Sequence, residues 1–345
     1  MAERMTASGA PPGVSVAVVV FNARSDIAEC LDSLLRQQYP PELMEILVID
    51  NDSTDGTQEI VRRFAEADKR IKLIRNPVRG IAGSRQIALE KAVHPLIAFI
   101  DADCIAPPHW LIGLVEGFRR WSLKVPHLAA VGGGNVPPQN GRFYQALAIF
   151  LDSYLGSHGS VQGRRFLHDR PVPHLPTVNV LYDRLTLLDL GGFDRSLGNI
   201  GEDQDMSFRL SDHGKTLIYL AGLEVVHKMR STLREWLKNM FTYGKGRMRL
   251  MIKHPRRIEP ILLAPMLLVA ALALTPLAVF SPIFLSPLVY FFAILMLSAA
   301  AALRRRRPDL LPTLFCLYVG SHLFYGAGEW CGLLHGSKFN RCEAF

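Results

Sequence analysis

No charged side chain occurs between Ile261 and Leu303, a run of 43 residues. A helix that crosses a bilayer needs about 20 apolar residues, because the hydrocarbon core is about 30 Å thick and each residue rises about 1.5 Å. The run is long enough for two passes, joined at Phe280–Pro287 (FSPIFLSP), where two prolines and two serines interrupt it. A further apolar stretch, Leu310–Leu334, carries His322 and Glu329 and fits either a third span or a surface position. A hydrophobic content of 49% reflects this end of the chain. A length of 345 residues suits roughly two domains, or one large domain with an appendage. The N-terminus is polar, then proline-rich, and enters the first strand directly, so no signal peptide is expected.

The net charge of +8 is local. Between Lys228 and Arg257 ten Lys and Arg stand against one acid, Glu235, and Arg304–Arg307 follow the uncharged run. Loops rich in Lys and Arg stay on the cytoplasmic side of a membrane. The sequence therefore makes a hairpin of the first two spans, in a multi-pass protein of the inner membrane. It also places the N-terminal part on the cytoplasmic side. A basic belt beside spans suits anionic headgroups or a lipid phosphate and argues against nucleic acid as partner. Within Ser231–Arg257, Leu233, Trp236, Leu237, Met240 and Phe241 make one apolar face, the pattern of a helix lying in the membrane interface. Lys245, Arg247 and Arg249 on this stretch suit the phosphates of a lipid, and general attraction to headgroups explains them equally well. The five cysteines form no C-x-x-C pair and read as reduced residues, neither disulfides nor a zinc site.

Ahead of the belt, strands and helices alternate. VSVAVVVF (Val14–Phe21) reads as a strand, and DIAECLDSLLRQQ as a helix with Asp26 and Glu29 spaced as a capping box. EILVID (Glu45–Asp50) and IKLIR (Ile71–Arg75) are strands, with helices from about Thr57 and over Ser84–Ala92. IAFIDADC (Ile97–Cys104) is a buried strand running into two acids. Such alternation predicts an α/β fold, a mostly parallel mixed sheet between helices. Ligands of open α/β sheets bind beyond the carboxyl ends of the strands. That rule gathers Asp50, Asp52, Asp55, Asp101 and Asp103 on one rim, where their mutual repulsion calls for a cation. Mg²⁺ or Mn²⁺, which prefer oxygen ligands and share their shell with phosphates, fit best. Singly, each acid pair reads equally as a turn former or helix cap. Glu202, Asp203 and Asp205 likewise suit a helix N-terminus, and His227, ending LEVVH, suits a structural role.

The order of the segments is more specific than any one of them. VSVAVVVFNARSDIAECLDSLLRQQYP, EILVIDNDSTDGT, NPVRGIAGSRQIALEKA, FIDADC, PTVNVLYDR, GGFD and GEDQDMSFRL resemble, in sequence and order over residues ~14–250, the family 2 glycosyltransferases of GT-A fold. The basic, apolar tail resembles the membrane-bound bacterial branch that includes succinoglycan-type enzymes. The resemblance implies that Asp50 and Asp52 contact the nucleobase and ribose, with Phe21 and Asn22 walling the pocket. It places Arg85 near the nucleotide, although Gln86 stands where the family has Asn. It implies that Asp103 is a metal ligand, that Asp101 shares the metal or the ribose, and that His227 is a candidate beside them. Asp203 would be the general base of an inverting transfer. Asn179, Arg184, Asp194, Glu202 and Asp205 would border the sugar or acceptor, Glu202 and Asp205 alternatively orienting nearby loops.

The expected enzyme moves a sugar from a nucleotide-sugar, a UDP-sugar being favoured, to a lipid-linked or glycolipid acceptor. The Q-x-x-R-W signature of processive synthases is absent, LREWLKN standing in its place, which favours single addition. A processive synthase and a non-catalytic nucleotide-sugar-binding scaffold remain as alternatives. The expected organisation is a tail over 1–13, a catalytic domain over 14–228, basic interface helices over 229–258, membrane segments over 259–335 and a tail over 336–345.

Overall fold

The computed structural model describes residues 11–335, so most of the expected N-terminal tail, all of the C-terminal tail and Cys342 lie outside the described residues. The chain divides into two units: residues 1–136 with 160–228, and residues 137–159 with 229–345. Residues 137–159, which the sequence reading left in the catalytic domain, thus belong with the C-terminal helices.

In the first unit β1 (Val14–Val20), α1 (Ile27–Leu35), β2 (Met44–Asp50), α2 (Thr57–Ala67), β3 (Ile71–Arg75), α3 (Ile81–Lys91) and β4 (Leu96–Asp101) alternate as expected. There follow β5 (Cys104–Ile105), α4 (Trp110–Ser122), β6 (Leu128–Gly132) and β7 (Asn135–Val136). The second unit then takes α5 (Arg142–Asp152) and α6 (Tyr154–Ser157). The chain returns through β8 (Arg170–Pro171), β9 (Asn179–Asp183), α7 (Arg184–Asp189), α8 (Glu202–Asp212), β10 (Thr216–Tyr219) and β11 (Val225–His227).

The main sheet has the order β3-β2-β1-β4-β9-β6-β10-β8. Its first four strands are parallel, and β9 enters antiparallel between β4 and β6. Strand side chains alternate between faces. Val16 and Val18 of β1 therefore pack with Ile27 and Leu31 of α1 and Leu114 of α4, while Ala17 packs on the other face with Leu89 of α3 and Met206 of α8. Each fully buried Val, Ile or Leu contributes about 1.5–3 kcal/mol, which is why the uninterrupted apolar run of β1 sits mid-sheet. A three-stranded sheet, β5-β11-β7, brings His227 opposite Cys104. The capping box expected at α1 does not form: no side chain caps that helix, and Asp26 and Glu29 instead hold Lys228 Nζ at 3.0 and 2.6 Å.

The second unit adds α9 (Leu233–Lys253), α10 (Ala264–Ala273), α11 (Pro287–Arg304) and α12 (Leu311–His335). The first expected span differs from expectation. Its α-helix is 10 residues long and passes at Thr275 into 3₁₀ turns. Pro276 lacks an N–H and its ring clashes with the carbonyl four residues back, so the α-helix ends there. The helical segments long and apolar enough to cross a membrane are Pro282–Arg304 and Pro308–His335, judged by length and composition. The apolar face of α9 is covered by protein: Trp236 and Met240 are buried, and Trp236 Nε1 donates to Ser321 Oγ of α12 at 2.9 Å.

Glycines permit this close packing. A Cβ on Gly244 would strike the Tyr325 carbonyl, and one on Gly328 would strike the Phe241 carbonyl. Neither backbone can retreat as a flexible side chain would. Gly328→Val is expected to cost about 3 kcal/mol, the upper end of overpacking penalties, and to lower the melting temperature in detergent by several degrees. A melting temperature equal to that of the parent protein would refute the tight α9–α12 contact.

Candidate active site

The strand registers assemble the rim. Asp50 pairs with Val20, and Asp101 with Val19, so both acids flank the end of β1. One Asp50 oxygen, Oδ2, accepts from the Asp52 and Ser53 N–H groups at 3.1 Å each and from Gln58 Nε2 at 2.7 Å. Its other oxygen, Oδ1, is buried and has no hydrogen-bond partner among the described residues. Asn22 stitches the two rim loops together: its Oδ1 accepts from the Thr54 N–H at 2.9 Å, and its own N–H donates to Ser53 Oγ at 2.9 Å. Asp52 adopts a left-handed backbone, φ 68°, and meets Arg75 at 2.7 Å and Arg79 at 3.5 Å. The hydrogen bond from Arg75 holds its carboxyl below the usual carboxylate range. Arg79 also lies 5.8 Å from the centre of the Phe21 ring. Arg75 and Arg79 were not singled out from the sequence, although Arg79 lies within the segment NPVRGIAGSRQIALEKA.

Arg85 is the hub of the site. It leaves α3 almost fully buried, 6% exposed, and forks between two acids. One arm meets Asp101 Oδ1 at 3.2 Å, and the other forms a direct ion pair with Glu202 at the start of α8. A planar guanidinium suits such bridging. Asp101 also lies within electrostatic reach of Asp103, His227 and Asp203. Burial at the strand end, against the pull of Arg85, raises the Asp101 carboxyl above its ordinary value.

Asp103 and His227 come together although 124 positions separate them, with Oδ1 and Nε2 3.2 Å apart. Two donors on one octahedral ion at about 2.1 Å stand about 3.0 Å apart, so this pair fits a divalent cation. Cys104 lies within ligand reach of both, but burial pushes its thiol far up, so it favours the protonated form, which is a poor ligand. Among the described residues Cys30, Cys104, Cys316 and Cys331 are free thiols. Asn135 Nδ2 meets His227 Nδ1 at 2.8 Å, and the Gly163 N–H anchors the Asn135 carbonyl at 2.8 Å. An amide nitrogen donates, so in this arrangement Nδ1 accepts and the neutral ring carries its hydrogen on Nε2; binding a metal through Nε2 would need the hydrogen on Nδ1 and the Asn135 amide oxygen turned to it. Asn135→Ala is expected to weaken Mn²⁺ binding about 10–100-fold, read by calorimetry. Unchanged affinity would remove His227 from the metal.

Asp203 stands beside Glu202, partly exposed, and His174 approaches it, Nε2 to Oδ2, at 3.7 Å. The other ring nitrogen meets Ser207 Oγ at 3.1 Å. Neither His174 nor Asn135 was found from the sequence, since neither lies in a motif and both act across long separations.

Several expected sugar or acceptor contacts are placed elsewhere. Asn179 is fully buried: its Oδ1 accepts from Trp110 Nε1 at 2.7 Å and its Nδ2 donates to the carbonyls of Gly134 and Leu223. It ties strands together. Arg184 lies at the opposite rim, since Asp183 pairs with Leu96 at the start of β4, and its Nε donates to the Leu89 carbonyl of α3 at 2.9 Å. Asp205 is fully buried against Arg209 Nε at 2.8 Å, and Arg209 also holds the carbonyls of Leu190 and Gly192. Gln86 Oε1 accepts from the Phe193 N–H at 2.7 Å in the same turn. Gly192 has φ 70° and no room for a Cβ beside Gln86. Asp205 and Gln86 therefore brace the GGFD turn, and Asp194 caps the short helix after it by accepting from the Ser196 N–H at 2.9 Å. Lys245, Arg247 and Arg249 lie half-buried on α9 in the second unit, where Arg247 Nε donates to the Tyr325 hydroxyl at 3.0 Å.

Comparisons with known proteins find relatives of this chain. The family model described as glycosyl transferase family 2 matches residues 15–184. Glycosyltransferase AglE of Haloferax volcanii is 30% identical over 239 residues, 68% of this chain and 73% of that protein. The succinoglycan biosynthesis protein ExoA of Rhizobium meliloti is 27% identical over 329 residues, 92% of this chain and 94% of that one. Among solved structures, the mannosyltransferase PcManGT of Pyrobaculum calidifontis, in complex with GDP-Man and Mn²⁺, has a TM-score of 0.60. The match covers 97% of this chain and 93% of that chain at 22% identity, a likeness of fold.

Proposed function

Because the chain belongs to the family 2 glycosyltransferases, with their GT-A fold, we propose that it is an inverting, metal-dependent enzyme. It would move a sugar from a nucleotide-sugar, by preference a UDP-sugar, to a lipid-linked acceptor at a membrane. The observation that carries this reading is the Arg85 fork, which links the first acid of DADC to the GEDQD helix. The acid proposed for the donor phosphates and the helix that begins beside the proposed base are thereby tied by one guanidinium.

In this reading the unpaired Asp50 Oδ1 accepts from the nucleobase, and the Phe21–Asn22 segment walls that pocket. Asp103 and His227 hold the cation, Mg²⁺ or Mn²⁺. When bound, it would neutralise charge on the departing diphosphate. Arg85 supplies fixed positive charge from the protein side at the same place, oriented in advance by Asp101 and Glu202. Asp203 takes the proton of the acceptor hydroxyl. In this reading Asp101 and Glu202 are held by Arg85 and Asp103 serves the cation, so none of them acts as nucleophile and direct displacement would invert the sugar carbon.

The apolar segments Pro282–Arg304 and Pro308–His335 support membrane association. The cationic stretches Lys228–Arg257 and Arg304–Arg307 support a cytoplasmic position for the catalytic unit. Lys245, Arg247 and Arg249 remain the candidates for a lipid phosphate.

The test is incubation of detergent-purified protein with a panel of nucleotide-sugars, a polyprenyl phosphate and Mn²⁺, with the product analysed by mass and by NMR at the anomeric carbon. One added sugar of inverted configuration is expected. Retained configuration would refute Asp203 as base, and a polymer would refute single addition.

A further inference from the structure

We propose that Asp26, Glu29 and Lys228 form a clamp that keeps His227 beside Asp103, which makes Lys228 a positioning residue for the cation. The inference rests on Asp103 and His227 being the ligands of that cation. Asp26 and Glu29 have the spacing of a capping box, and capping α1 would stabilise it, yet no side chain caps that helix. Both carboxylates turn instead to one ammonium group. Lys228 Nζ lies 3.0 Å from Asp26 Oδ1 and 2.6 Å from Glu29 Oε2. The base of the clamp is firm, because Ile27 and Leu31 of α1 are buried in the core under the main sheet. The Lys228 side chain is 28% exposed, so its long stem lies mostly against protein.

The place of Lys228 in the chain gives the clamp its consequence. It directly follows His227, the last residue of β11. That strand has three residues, and its partners β5 and β7 have two each, so the small sheet offers few hydrogen bonds to fix the strand end. Beyond Lys228 the second unit begins, and there the Met229 carbonyl accepts from the Tyr144 hydroxyl at 2.9 Å. Lys228 is therefore the last residue through which the first unit can hold the strand that carries His227. It is held twice. Its N–H donates to the Asp103 carbonyl at 2.9 Å, and its side chain is gripped by α1. The backbone bond sets His227 and Asp103 side by side, and the grip on the side chain keeps the strand end from peeling away. Such support matters because metal ligands must be held within about 0.5 Å of their working geometry. The positive charge of Lys228 acts the other way, since it repels a cation bound nearby. Removing the lysine would strengthen cation binding if charge alone counted, and weakens it if the lysine positions His227. The two roles predict opposite signs.

The test is calorimetric titration of Mn²⁺ into the full chain in detergent. Lys228→Met is expected to lower Mn²⁺ affinity about 10-fold, the low end of losses for residues that support metal ligands. Lys228→Arg is expected to keep most of the parent affinity, because a guanidinium also spans two carboxylates. Asp26→Asn combined with Glu29→Gln opens the clamp from the other side and should show a similar loss, to which Lys228→Met adds none. The melting temperature without metal should stay close to that of the parent protein, because partly exposed ion pairs add little stability. Unchanged or tighter Mn²⁺ binding in Lys228→Met would overturn the inference, the tighter result marking an effect of charge alone. So would a loss of affinity that appears equally in Lys228→Arg and follows a fall in melting temperature, since that marks a structural role. A loss of UDP or GDP affinity with Mn²⁺ affinity intact would overturn it as well, assigning Lys228 to the diphosphate. Asp103→Ala separates the inference from the reading beneath it. If that variant binds Mn²⁺ as tightly as the parent protein, the cation site fails and the inference with it. If it loses Mn²⁺ while Lys228→Met does not, only the present inference fails.

Discussion

Asp203→Asn is expected to abolish sugar transfer and to leave nucleotide binding intact. The carboxamide keeps the shape of the side chain, so Oδ1 can still accept from the Gln204 N–H, which it does at 2.7 Å in the parent protein. It cannot take a proton. General bases of this kind contribute about 10²–10⁴-fold to rate, and the loss is expected in kcat rather than in donor KM, because the interaction is made only as the acceptor hydroxyl ionises. Glu202 and Arg85 remain paired in this variant, so the phosphate side of the site is undisturbed. Turnover within a few-fold of the parent protein would assign the base elsewhere.

Arg85→Met is expected to produce the largest loss of stability and also to remove nucleotide binding. Methionine fills much of the volume, but Glu202, 4% exposed, loses its ion-pair partner, and Asp101 loses its only guanidinium among the described residues. Breaking a buried pair from one side costs about 3–5 kcal/mol, because a charge is left without compensation. For a domain of this size each kcal/mol is worth about 2–4 °C of melting temperature, so a fall of about 6–20 °C is expected by scanning fluorimetry. Adding Glu202→Gln removes the stranded charge and should recover part of that stability without recovering nucleotide affinity. A double variant no more stable than Arg85→Met would mean that the pair is not what holds α3 to α8.

Much of the first unit was legible because its strands are short apolar runs ending in acids, and its helices bury one stripe. The near-continuous apolar runs of β1, β2 and β4 point to parallel strands, and the pairing of β1 with β2 and with β4 brings Asp50 and Asp101 to one rim. Chemistry-bearing residues outside motifs were not legible. His174 meets Ser207 across 33 positions and Asn135 meets His227 across 92, and nothing local marks His174 or Asn135. Residue type also misled within motifs. Asn179 and Asp205 are polar residues beside a reactive site, yet both are buried ties, and pattern does not distinguish a side chain facing a ligand from one facing a strand. Arg184 was assigned to the sugar although β9 runs antiparallel and carries it to the far rim, a reversal that depends on tertiary pairing. In the second unit, the absence of charge outweighed Pro276 in the reading of the first span. The RFYQALAIFLD stripe of α5 gave no sign that its neighbour would be the distant α12, where Phe150 packs edge-on against Tyr318.

The central claim is that Asp103 and His227 hold a divalent cation that in turn holds a nucleoside diphosphate. The most direct test is the melting temperature of the detergent-purified chain with UDP or GDP, with and without Mn²⁺, in the parent protein and in Asp103→Ala. A ligand at about 100 times its dissociation constant stabilises the folded state by about 2.7 kcal/mol. The account predicts a rise of several degrees with one nucleotide, seen only with Mn²⁺ and absent in Asp103→Ala. A nucleotide shift that is independent of Mn²⁺, or that persists in Asp103→Ala, would contradict it.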